Sequence, residues 1–346
     1  MKSLTKAMLA TLLVGAGLSA SAAQKVCVYD LMGANGDLFS MAKDYAIAMQ
    51  RIGVTLSLKA YVDERQAVED FRAGTCDAVI ATAFRTRQFN ATSGAIDTLG
   101  ATTVVRDGRI DMPGSYEVVR RLIQTYASPE AKTVMVNGDH EVGGILPLGA
   151  AYPILHDRRL NTVEALAGKR IAAFDHDKAQ ATMIRRMRAI PVSADITNFA
   201  IKFNSGQLDM AAAPSIAYKP LELYKGIGED GGITRFPIMI LTYQLILNRS
   251  RFPDNIGPQS RIFWLSQFDR ALQVIRQADA GIPPTTWIEL SPENAYKYSL
   301  MLRESRIDIA QQGIYDKRGL KVIKRVRCSV NPTDAECSTK SEEEWR

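Results

Sequence analysis

Between residues 25 and 83 the chain alternates short apolar runs with amphipathic stretches, and this alternation constrains the fold more than any other feature. "KVCVYDL" (25–31), "VTLSLKAY" (54–61) and "CDAVIATA" (76–83) read as strands. Between them, "LFSMAKDYAIAMQRIG" carries apolar residues at helical spacing and stops at Gly53. "DERQAVEDFRAGT" is a short helix with Asp63 placed as its cap and Gly74 as its stop. Strands joined by helices of this length pair in parallel through right-handed crossovers, which predicts an α/β sheet.

The pattern restarts downstream. "NTVEALAG" reads as a capped short helix, "KRIAAFD" as a strand and "KAQATMIRRMRAI" as a helix. "FAIKFNSGQLDMAAAP" reads as helix, turn and strand, and its "FNSGQLDMAAA" parallels the earlier "FRAGTCDAVIA". Two apolar segments, "GGILPLGAAYPIL" (143–155) and "FPIMILTYQLILN" (236–248), connect these modules and read as two crossings of a hinge. "SPENAYKYSLMLRESRIDIAQQG" predicts a long helix with Ser291 as cap, Pro292 at its first position and Gly313 as stop. The expected fold class is α/β: two doubly wound lobes joined by a hinge, with a ligand cleft between them. Residues 24–145 with 237–265 would form the first lobe, residues 146–236 with 266–327 the second with the long helix, and residues 328–346 a cysteine-bounded tail.

Residues 1–23 predict a cleavable signal peptide: Lys2 and Lys6, an apolar middle from Ala7 to Leu18, then "SASAA". About 12 apolar residues are too few to cross a bilayer, which needs roughly 20. The expectation is a soluble periplasmic protein. Its four cysteines then lie in an oxidising compartment, where they allow three pairings. Cys328 and Cys337 flank the turn-rich "SVNPTDAE", and Cys27 and Cys76 each open a predicted strand, so neighbouring strands would bring them together. On a chain-entropy argument such bridges contribute roughly 3 and 4 kcal/mol.

The formal charge of +6 falls to +4 once Lys2 and Lys6 leave, too small to argue for a nucleic-acid partner. The densest basic run, "KRGLKVIKRVR" (317–327), reads as a packed element with a solvated basic face. Phosphate-loop, nucleophile-elbow and zincin motifs are missing, and three histidines leave little scope for acid–base catalysis. "FDHDK" could be read as metal ligands, yet neighbouring side chains on an extended segment point apart. No cofactor or metal is expected.

Ligands of open α/β sheets sit beyond the carboxyl ends of the strands. Around such a cleft the candidates are Asn35 and Asp37 after the first strand, Phe84, Arg85 and Arg87 after the third, and Tyr152 on a crossing. Phe174 and Asp175, Pro214, and Tyr243 complete the set from the second module and the other crossing. A guanidinium there could hold a carboxylate through two parallel hydrogen bonds, or it could simply pair with Asp37 or Asp97. The aromatic candidates could equally be core.

The segment from "RLNTVEALAGKRIAAFD" through "MRAIPVSA" to "FNSGQLDMAAAP" resembles the second lobe of the solute receptors of tripartite ATP-independent periplasmic (TRAP) transporters. The matching residues are Leu166 and Gly168, Ala189 to Val192, and Gly206 with Asp209. The resemblance implies a non-enzymatic receptor, expected to act as a monomer, that closes on a small organic solute, including carboxylates, and delivers it to a membrane permease. It also exposes a departure. The family's substrate-clamping arginine falls at Ala172 here, with Arg170 two residues earlier on the same strand face. Either Arg85 or Arg87 replaces that cation, or the ligand is not a typical acid, and Asp175 and Asp177 would suit a cationic one. An envelope interaction protein and an exported enzyme on the same fold are the alternative functions.

Overall fold

The computed structural model describes residues 23–345, so the expected signal peptide lies outside the described residues except for Ala23. Strands β1 (Gln24–Tyr29), β2 (Leu56–Tyr61) and β3 (Ala78–Thr82) form the first parallel set. Helices α1 (Asp37–Gln50) and α2 (Glu64–Arg72) connect them. Asp63 caps α2, its Oδ1 accepting from the Arg65 amide at 2.9 Å. Gly74 takes the left-handed conformation just beyond the helix, at φ +74°, where a side chain would be strained.

Helix α3 (Met112–Ala127) leads into β4 (His140–Leu155), 16 residues long and buried along nearly all its length. The second parallel set follows as β5 (Arg170–Phe174), β6 (Ile190–Ala194) and β7 (Met210–Pro214), with helices α4 (Lys178–Arg186) and α5 (Phe199–Asn204) between them. The chain then returns through β8 (Met239–Asn248). Along one sheet the strands run β2-β1-β3-β8-β4-β7-β5-β6. Two parallel sets are thus joined by two long antiparallel strands at the centre, where the sequence placed its crossings. At about 3.3 Å per residue, β4 is long enough to serve both sets. Its first part pairs with β8 and its last five residues with β7.

The register of β4 against β8 slips between Leu241 and Thr242, whose partners are Gly149 and Pro147. Leu148 is the extra residue of this bulge. Proline and glycine sit on either side of it because neither ladder bonds nor ordinary dihedrals hold there. Gly149 lies at φ +132°.

Helices α6 (Ile256–Ser266) and α7 (Phe268–Ala280) pack on β4. The long helix α8 (Pro292–Gln311) starts at the Ser291 cap, whose hydroxyl accepts from the Asn294 amide, and stops before Gly313 at φ +77°. "NTVEALAG" forms only a 3-10 turn, Glu164–Leu166, with the Thr162 hydroxyl accepting from the Ala165 amide.

Helix α9 (Lys317–Val330) covers the basic run and lies on α3 and on the turn at residues 91–97, so it packs with the first parallel set. The residues before Cys328 are helical. Their basic face is not wholly solvated: Lys324 and Arg327 are each 1% exposed. The reason is the tail, which folds back over the helix. Glu336 and Glu342 pair with both Arg306 and Arg327, the Arg306 Nε–Glu342 Oε1 contact measuring 2.6 Å. Lys324 donates to the carbonyls of Thr339 and Ser341. The disulfide Cys328–Cys337 ties the start of this tail to α9, and Cys27–Cys76 ties β1 to the start of β3, the two pairings raised by the sequence.

Candidate functional site

Four strands end at one cavity. Tyr29, Thr82, Phe174 and Pro214 are the last residues of β1, β3, β5 and β7, and all four line it. The crossing strands close its base with Leu148, raised by the bulge, and with Leu241 and Tyr243. The cavity volume is about 80 Å³, below the range of roughly 300–1,000 Å³ usual for small-molecule sites. Room is made by small residues: Ala172 on β5, Ala212 and Ala213 on β7, and Ala151 on β4 all line it. In "MAAAP" the strand keeps its backbone ladder while withholding the side chains that would fill the space.

Phe84 and Phe174 meet edge-on across the cleft, ring centres 6.2 Å apart, one from each lobe. Tyr29 and Tyr243 form a second edge-on pair, at 6.3 Å. Burial and the nearby Glu64 carboxyl push both phenols far above their usual range, so they are neutral hydrogen-bonding groups.

Glu64 is the single lining residue with a side-chain charge among the described residues, and the sequence reading passed over it. It opens α2 directly after the Asp63 cap and is 3% exposed. Its Oε1 accepts from the Thr82 amide at 2.6 Å. Its Oε2 has one charged neighbour, Arg85 Nε, at 4.0 Å. Burial pushes the carboxyl up to about 7 against the opposing pull of Thr82 and Arg85.

Of the expected site residues, Phe84, Phe174, Pro214 and Tyr243 line the cavity. The arginines do not. Beyond Thr82 the chain turns into a single helical turn, Ala83–Thr86, in which successive side chains diverge by about 100°. Phe84 therefore faces the cavity, while Arg85 and Arg87 open onto a separate outer groove with Arg72, His176 and Tyr315. Arg87 donates to the carbonyls of Ala83 and Asp97 and holds that turn together. Burial, with Arg85 adding to it, lowers His176 to about 4, so its ring is neutral.

The remaining expected residues also lie off the cavity. Tyr152 is buried against Trp287, 5.1 Å between centres, because its side of β4 faces the opposite layer. Asp175 is exposed and accepts from the Ser193 hydroxyl. Asp177 caps α4, accepting from the Ala179 amide at 2.9 Å. Asn35 and Asp37 border a different groove beside Met41 and Pro220, since the turn after β1 carries them past the strand end. Arg170 is bound to Asp209 at 2.7 Å near the start of β5, which leaves Ala172 facing the cavity with no cation beside it.

Two parallel strand sets, two long crossing strands and a cavity at converging strand ends define a two-lobed solute-binding protein. Solved structures share that fold. A TRAP periplasmic solute-binding protein from Shewanella oneidensis, with bound succinate, superposes with a TM-score of 0.68 at 12% identity, over 88% of this chain and 100% of that one. Another from Ralstonia eutropha H16, with bound (S)-2-acetolactate, gives 0.66 at 12% identity, over 89% and 98%. Sequence narrows the class further. The model of the family described as "Solute-binding protein AdeT 1/2" matches residues 46–342, and the chain belongs to that family. It is 38% identical over 315 residues to "Probable solute-binding protein AdeT1" of Acinetobacter baumannii, covering 91% of this chain and all of that one.

Proposed function

We propose that this solute-binding protein works as a monomeric periplasmic receptor that takes up a small organic solute between its lobes and delivers it to a membrane permease. The observation that carries the reading is the convergence of four strand ends, two from each parallel set, on one apolar cavity. A ligand touching both sets stabilises the closed arrangement by the contacts it makes only there. β4 and β8, the strands common to both sets, are the elements that would flex. The lobes would divide as the sequence divides them, except that α9 and the tail travel with the first.

Export is supported by the leader-like residues 1–23 and by two disulfides that suit an oxidising compartment. Binding without turnover is supported by a lining that holds one carboxyl and, among the described residues, neither histidine nor cysteine.

The test is Ala212→Trp, which puts an indole into the cavity from β7. Both proteins are unfolded and refolded to strip bound solute, then melted against compounds sorted by charge. At 100 times its dissociation constant a ligand stabilises wild type by about 2.7 kcal/mol. The variant should lose that response while melting close to wild type alone. Equal responses in both proteins would place binding elsewhere.

A further inference from the structure

Resting on the reading that this cavity holds the solute, we propose that the solute is an amphipathic amine, an apolar body carrying one ammonium group that sits against Glu64. The lining is almost wholly hydrocarbon and aromatic, and its charged side chain is an acid. A carboxylate entering it would lose its hydration, meet no lysine, arginine or histidine in the described lining, and lie in the same low-dielectric space as Glu64. An ammonium gains at the same place. Glu64 Oε1 is occupied by the Thr82 amide, but among the described residues Oε2 accepts no hydrogen bond, its charged neighbour Arg85 standing 4.0 Å away and opening to the outer groove. That oxygen is a free acceptor for an N–H donor.

The aromatic pairs add to the same preference. Phe84 with Phe174 and Tyr29 with Tyr243 present ring faces and edges within one enclosure, and ring faces attract a desolvated cation. Ala172 removes the opposing possibility, because no guanidinium stands at that cavity position to receive an acid. The high proton affinity that burial imposes on Glu64 fits the same picture: its neighbouring cation, Arg85 Nε, stands 4.0 Å away and only partly offsets that burial, and a bound ammonium would supply a closer one.

The experiment uses three probes with one skeleton and different heads: phenethylamine, phenethyl alcohol and phenylacetate. Each is titrated calorimetrically into refolded wild type, Glu64→Gln and Ala212→Trp. The glutamine keeps an Oε1 acceptor for the Thr82 amide, so the variant retains its local structure, which its melting curve checks. The amine should bind wild type at least about tenfold tighter than the alcohol, a difference near 1.4 kcal/mol, with phenylacetate weakest. Glu64→Gln should bring amine and alcohol within about threefold of each other. Tightest binding by phenylacetate, abolished in Ala212→Trp, overturns the amine assignment and leaves the receptor reading standing. An amine preference untouched by Glu64→Gln also overturns it. Binding of none of the three to wild type, or binding unaffected by Ala212→Trp, counts against both.

Discussion

The buried Glu64 carboxyl should make the protein less stable as pH rises through neutrality. Its proton affinity in the folded state is pushed up from the usual 4.5 to about 7, chiefly by burial. Between those two values the folded chain holds a proton that the unfolded chain has released, so stability falls with rising pH. Glu64 therefore contributes about 2–3 kcal/mol at pH near 5 that is gone by pH near 8. Asp97 acts in the same direction, being buried and pushed up to about 7 while it accepts from the Thr242 amide and hydroxyl. Glu64→Gln separates the two, since glutamine does not titrate and keeps the acceptor for Thr82. Urea unfolding of wild type and variant at both pH values isolates the Glu64 part as a difference of differences. The variant should lose less stability than wild type on going to the higher pH, by about 2–3 kcal/mol. Parallel behaviour of the two proteins would refute the argument, because it would mean that the carboxyl is hydrated in the folded state.

Three other perturbations test different parts of the structure. Glu342→Ala strips a carboxylate from two guanidiniums that stay buried and should cost about 3–5 kcal/mol in urea unfolding, against near zero for an exposed pair. Burial raises the Glu342 carboxyl, but Arg306 and Arg327 outweigh it and hold the group at about 2, so its contribution is present above pH 4.5 and drains away as pH falls toward 2. Replacing Cys27 and Cys76 together by serine opens a loop spanning 49 positions and should cost about 4 kcal/mol, measured by the same unfolding. Ala172→Arg sets a cation at the cavity wall and should strengthen calorimetric binding of phenylacetate at least about tenfold; unchanged binding would show that this wall is not in contact with the ligand.

The architecture was legible because its signals are local. Alternating strand and helix periods predict a parallel sheet, and two long apolar segments outside that alternation mark the crossings. The strand-end rule then found Phe84, Phe174 and Pro214, and the crossing segment supplied Tyr243. It failed one residue further along, at Arg85 and Asp175. Whether the chain beyond Thr82 stays extended or turns helical decides which side Arg85 faces, and nothing in "AFRTR" settles that before tertiary packing does. Glu64 was hidden by its own position, since an acid in the first turn of a helix is what the helix dipole favours and needs no other reason to be there. Its neighbour Thr82 is 18 residues away, and the packing of α2 against β3 brings the two together. The basic run was misread for the same kind of reason. Its partners Glu336 and Glu342 lie beyond a turn, and the spacing of Lys324 and Arg327 alone does not distinguish a solvated face from one covered by the tail.

Native mass spectrometry of the chain secreted with its own leader, released gently and never unfolded, tests the central claim most directly. The account predicts wild-type protein with one small molecule bound per chain, and Ala212→Trp protein isolated in parallel with none. The same adduct on both proteins, or none on wild type at any stage of release, would contradict it.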